Sequence, residues 1–128
     1  MQEVELFEYA VIRLVPRVER EEFINIGVVL YCRGQHFLQM RYTIDASRYT
    51  LLFPDVDVVE LHSYLAAFQQ VCEGRGGDIT AIATLPPAER FRWLTAKRST
   101  MIQTSAVHPG RCADAAAALD RLYSQLVC

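Results

Sequence analysis

The stretch INIGVVLYC, residues 24–32, constrains the fold more than any other part of the chain. Apart from Asn25 and Gly27 it consists of strand-forming and apolar residues, too short for a buried helix and rich in β-branched side chains. Side chains alternate between the faces of a strand, so Ile24, Ile26, Val28, Leu30 and Cys32 are expected together on a core face. Asn25, Gly27 and Val29 then fall on the other side. A glycine here marks a bulge, a packing contact under a helix, or a place where a ligand approaches the backbone.

The flanking segments extend this strand into a meander. Residues 5–15 read as a first strand, 23–33 as the second and 37–43 as a third. The charged link PRVEREE, residues 16–22, suits a solvent-exposed hairpin loop, and CRGQH, residues 32–36, a tight turn. A hairpin centred on Glu19 pairs Ile12 with Ile26 and Ala10 with Val28, and a three-residue turn at 33–35 brings Leu38 and Met40 to the same side. The opposite face then carries Tyr9, Val11, Arg13, Asn25, Gly27, Val29, Gln39 and Arg41, with Arg13 beside Asn25 and Arg41 across from Gly27.

Past the meander, Val58, Leu61, Leu65, Phe68 and Cys72 form a helical stripe, opened by Asp57 with Glu60 three residues on and closed at Gly74. Helix 88–95 follows two prolines, 99–107 alternates as a fourth strand ended by HPG, and 114–126 is an amphipathic helix. Its inward residues are Ala115, Ala118, Leu119, Leu122, Tyr123 and Leu126. Residues 79–85 are an optional edge strand, and GRGGD, residues 74–78, is a connecting loop without phosphate-loop spacing. The expectation is one α+β domain over 1–128: a mainly antiparallel sheet with two or three helices packed on it.

Composition narrows the function classes. A net charge of −2 leaves no global footprint for nucleic acid or an anionic membrane, so such binding has to be local. The acidic start MQEVELFE lacks a cleavage site, and the apolar runs are too short to span a bilayer, so a soluble cytoplasmic protein is expected. Four cysteines without a C-x-x-C pair and three scattered histidines argue against a metal centre, and no cofactor motif is present.

The segments YAVIRLVPRVEREEFINIGVVLYC, ERFRWLTAKRSTMIQTSAVHPG and ALDRLYSQLV resemble the bacterial domain-of-unknown-function family numbered 3037 across nearly the whole chain. The resemblance implies a small cytoplasmic protein without an assigned reaction. It also implies a partner role, because members of that family are often neighbours of genes for HipA-like kinases. It supplies no catalytic residue.

The sharpest candidate site is the polar sheet face. Arg13, Asn25 and Arg41 beside Gly27, with Glu22 at the rim, would hold a phosphate or carboxylate through the planar guanidinium forks. Gln103 and Ser105 join them if the fourth strand lies alongside. The competing reading is a solvated face or an Arg13–Glu22 ion pair. A second candidate is ERFRWLTAKRS, where Trp93 and Arg98 with their basic neighbours would suit single-stranded nucleic acid, against core anchoring of Phe91 and Leu94. The functional expectation is a non-enzymatic binding or adaptor domain, with a small enzyme acting on a phosphate-containing or nucleic-acid substrate as the alternative. A sheet edge leaves room for a homodimer.

Overall fold

The computed structural model describes residues 4–45, 47, 51, 53–75 and 81–127. Three strands come first, β1 (Glu5–Leu14), β2 (Ile24–Cys32) and β3 (Phe37–Tyr42), followed by helices α1 (Val58–Glu73) and α2 (Pro87–Leu94). Two short strands, β4 (Ile102–Thr104) and β5 (His108–Cys112), then lead into α3 (Ala115–Leu126). All pairings are antiparallel, in the order β3-β2-β1-β4, with β5 also on β1 beyond the end of β4. The architecture is α+β.

The register between β1 and β2 is not the expected one, and the difference explains the shape of the core. Ile12 pairs with Gly27 and Arg13 with Asn25, which leaves Ile26 without a partner on β1. This is a β-bulge, and one extra residue reverses which face the side chains beyond it occupy. Ile24 and Ile26 therefore pack with Ala10, Ile12 and Leu14 under α1 and α2, through Leu61, Leu65, Phe68, Phe91 and Leu94. Val28, Leu30 and Cys32 turn to the other face and pack with Phe7 and Cys112 against Ala115, Ala118, Leu119 and Leu122 of α3. The five alternating apolar residues of β2 thus serve two cores rather than one. Val28, Val29 and Leu30 are all buried, as expected of a strand covered on both sides.

The second hairpin is also one residue out of the expected register. Cys32 pairs with Phe37, so the tip holds four residues, with His36 closing it at φ 50°. Arg41 consequently faces Val28, and Tyr42 faces Gly27. The tip is tied to α3 by Gln35, whose amide donates to the Ala113 carbonyl and accepts from the Ala115 N–H, both at 2.8 Å.

The helix ends follow from their capping residues. The Asp57 carboxylate accepts from the Glu60 N–H at 3.2 Å, Gly74 ends α1 at φ 72°, and the Asp114 carboxylate accepts from the Ala116 N–H at 3.0 Å. The expected fourth strand over 99–107 is instead split into β4 and β5. At the break the Ser105 hydroxyl accepts the Val11 N–H at 2.8 Å, and the Ser105 N–H donates to the Val11 carbonyl at 2.8 Å. HPG, expected to terminate a strand, starts β5, where Pro109 is tolerated because the strand lies at the sheet edge. Of the optional strand at 79–85, Ala81–Thr84 form a 3-10 turn, and residues 79–80 lie outside the described residues, as does most of GRGGD. Among the described residues no helix is long and apolar enough to cross a membrane.

Candidate functional site

Two of the side chains expected on the polar sheet face, Asn25 and Arg41, lie against α3. The Asn25 amide donates to the Leu126 carbonyl at 3.1 Å, in the last turn of that helix. Arg41 pairs with Asp120 and stacks 4.7 Å from the Tyr123 ring centroid, so both of its contacts come from α3. Arg13, paired across the sheet with Asn25 on one side and Gln103 on the other, stacks 4.2 Å from the Phe23 ring centroid. The buried Arg13 Nε and Asn25 Oδ1 have no hydrogen-bond partner among the described residues. Arg13 and Asn25 thus meet at the end of α3, while Arg41 sits farther along β2, opposite Val28.

Gly27 serves the sheet itself. A Cβ there would fall 2.7 Å from the Arg41 carbonyl oxygen and 2.8 Å from Tyr42 Cβ, so the close approach is by β3. Glu22 is drawn away to the hairpin loop, where it pairs with Arg20 at 2.8 Å. The Gln103 amide donates to the Thr100 carbonyl at 3.0 Å, and Ser105 holds the break between β4 and β5.

In the second candidate the cations cap helices. Arg98 donates to the Leu94 and Trp93 carbonyls at 3.2 and 2.5 Å and stacks on the Phe68 and Trp93 rings at 4.8 and 4.9 Å. Burial lowers its pKa from the usual guanidinium value. Arg90 donates to the Val71 and Cys72 carbonyls of α1, both at 3.2 Å. Two of the four basic residues therefore satisfy helix C-terminal carbonyls. Arg92 and Lys97 remain exposed. No three His, Cys, Asp or Glu among the described residues converge as metal ligands.

The structure forms a different concavity, an open cleft of about 710 Å³ between three loops. Pro16, Arg17, Arg20 and Glu22 come from the β1–β2 connection, and Ser99, Thr100 and Met101 precede β4. The remaining wall is the approach to α1, residues 53–57, with Glu60 and Tyr64 of the helix itself. The loops meet because the sheet continues past β1: the Val15 N–H donates to the Met101 carbonyl at 2.7 Å. Phe53, Val56 and Met101 are half-buried against the main core and make an apolar floor. Arg17 reaches Asp55 at 3.6 Å, joining two of the walls.

Residues 9–127 match the family described as Protein of unknown function (DUF3037). The chain belongs to this family. The matched segment runs from the middle of β1 to the end of α3 and so takes in all three cleft-forming loops of this DUF3037 domain. No curated protein and no solved structure matches the chain. The sequence signal for the cleft was present in FPDVD, where an aromatic and a proline precede a capped helix start. Its meeting with residues 16–22 and 99–101 depends on strand pairing that no local pattern encodes.

Proposed function

We propose that this DUF3037 domain is a non-enzymatic binding module that receives a segment of a protein partner in the cleft between the β1–β2 connection and the start of α1. The observation that carries this reading is the apolar floor of Phe53, Val56 and Met101 beneath an open, charged rim. A cleft of this size is within the range of ligand sites, and a mixed floor and rim is how such sites combine affinity with orientation. The open mouth between three loops suits an extended segment of a macromolecule.

A HipA-like kinase is the first natural partner to try. The binding reading itself is tested without one. Peptides selected from a random library on the purified domain are mapped by NMR amide shifts, with the expected changes at Val56, Tyr64 and Thr100. Shifts confined to the α3 side of the sheet, or selection of no peptide alongside measurable phosphodiester turnover by the purified domain, would overturn the reading in favour of a small enzyme.

A further inference from the structure

Resting on the cleft as the seat of a partner segment, we infer that the segment it takes is basic, an apolar anchor flanked by lysine or arginine. The rim carries four carboxylates, Glu22, Asp55, Asp57 and Glu60, against two guanidiniums, Arg17 and Arg20, which leaves a surplus of two negative charges. Both guanidiniums already have carboxylate partners. Arg17 reaches Asp55 at 3.6 Å, and Arg20 binds Glu22 through Nη2 at 2.8 Å and Nε at 3.0 Å. An incoming anion would have to displace an internal partner and face the other carboxylates, whereas an incoming cation meets Asp57 and Glu60 directly. The start of α1 offsets part of this surplus, since its unpaired N–H groups carry positive partial charge. Asp57 spends one oxygen on the Glu60 N–H. Glu60, exposed on the first turn with its carboxylate in the rim, is therefore the principal acceptor.

Charge of this kind steers encounter and excludes wrong partners more than it adds affinity. The floor supplies the complementary part, because Phe53, Val56 and Met101 with Tyr64 alongside offer an aliphatic or aromatic anchor a place to leave water. An apolar residue flanked by cations satisfies floor and rim together. An acidic-flanked segment satisfies the floor alone.

The test uses the full chain and three synthetic nonapeptides with the same central Leu-Phe pair, flanked by Lys/Arg, by Ser/Gln or by Asp/Glu. Affinities are measured by fluorescence anisotropy at low salt and again at high salt. The basic peptide is expected to bind at least tenfold more tightly than the acidic one, with most of that ratio lost at high salt. Glu60→Gln should narrow the ratio and Glu60→Lys, which leaves three carboxylates against three cations in the rim, should abolish it, while thermal unfolding shows that both variants fold. Acidic or neutral peptides binding as tightly as the basic one, with NMR shifts still in the cleft, would overturn the charge inference and leave the cleft reading standing. If all three peptides shift no cleft residue, the cleft reading falls as well.

Discussion

Gly27→Ala tests the close approach of β3 to β2 directly. A methyl group at position 27 would lie 2.7 Å from the Arg41 carbonyl oxygen, 2.8 Å from Tyr42 Cβ and 3.2 Å from Tyr42 Cα. None of these atoms can be rotated away, because all belong to the β3 backbone or the root of a side chain. Relief requires β3 to move off β2, loosening the Gly27–Tyr42 and Val28–Arg41 pairs. Overpacking of this kind costs about 1–3 kcal/mol. The reduced freedom of the unfolded alanine chain acts in the same direction as a stabiliser of the fold, offsetting about 0.4–1 kcal/mol. The expected net loss is about 1–2 kcal/mol, a fall in melting temperature of roughly 3–10 °C for a domain of this size. Urea unfolding followed by far-UV circular dichroism measures it. Gly34→Ala is the control: its Cβ would fall 1.9 Å from Glu5 Oε2, nominally the worse clash, yet that oxygen ends a side chain that can swing aside. Its cost should stay within about 0.5 kcal/mol. A neutral Gly27→Ala, or a costlier Gly34→Ala, would refute the argument that an immovable β3 backbone keeps position 27 a glycine.

Three further outcomes rest on other contacts in the fold. Burial pushes the Cys72 thiol from 9.0 up to about 12, with Glu73 adding to the effect and Arg90 opposing it. The folded chain therefore keeps a proton that the unfolded chain loses above pH 9, so this contribution is intact below pH 9 and declines as pH rises toward 12. Urea titrations at pH 9 and 10.5 should show a slope steeper in the wild type than in Cys72→Ala by up to about 1.4 kcal/mol per pH unit. Gln35→Ala removes both hydrogen bonds between the second hairpin and α3 and should cost about 1–2 kcal/mol, with faster amide exchange at Ala115 than in the wild type. Arg98→Ala should lower the melting temperature and leave single-stranded DNA affinity unchanged, because its guanidinium caps α2 and stacks on Phe68 and Trp93. A parallel loss of DNA affinity at unchanged stability would favour the nucleic-acid reading of that segment.

Much of the architecture was legible because local chemistry specifies it. Asp57 and Gly74 mark the ends of α1, and the inward stripe of α3 from Ala115 to Tyr123 follows its 3.6-residue period. What escaped was parity. Ile24, Ile26, Val28, Leu30 and Cys32 alternate as cleanly as any half-buried strand, and only the unpaired Ile26 next to Gly27 divides them between two layers. Val11 and Val29, apolar on the face that carries Arg13, Asn25 and Arg41, were the residues that hinted at a covered second face. The candidate site was less legible. The pairing of Arg13 with Asn25 survives the bulge, but α3 returns from the far end of the chain to meet that face. The cleft was not foreseen because its walls lie in three segments that read singly as solvated loops.

The bulge also has a bearing on synthesis. Val28, Leu30 and Cys32 find their cover only in α3, whose first residue, Ala115, is made 73 residues after Tyr42 closes the meander. At about 5–20 residues per second a ribosome needs roughly 4–15 s for that interval. A sheet formed within that interval would present this greasy side to the surroundings, even with α1 and α2 docked on the other.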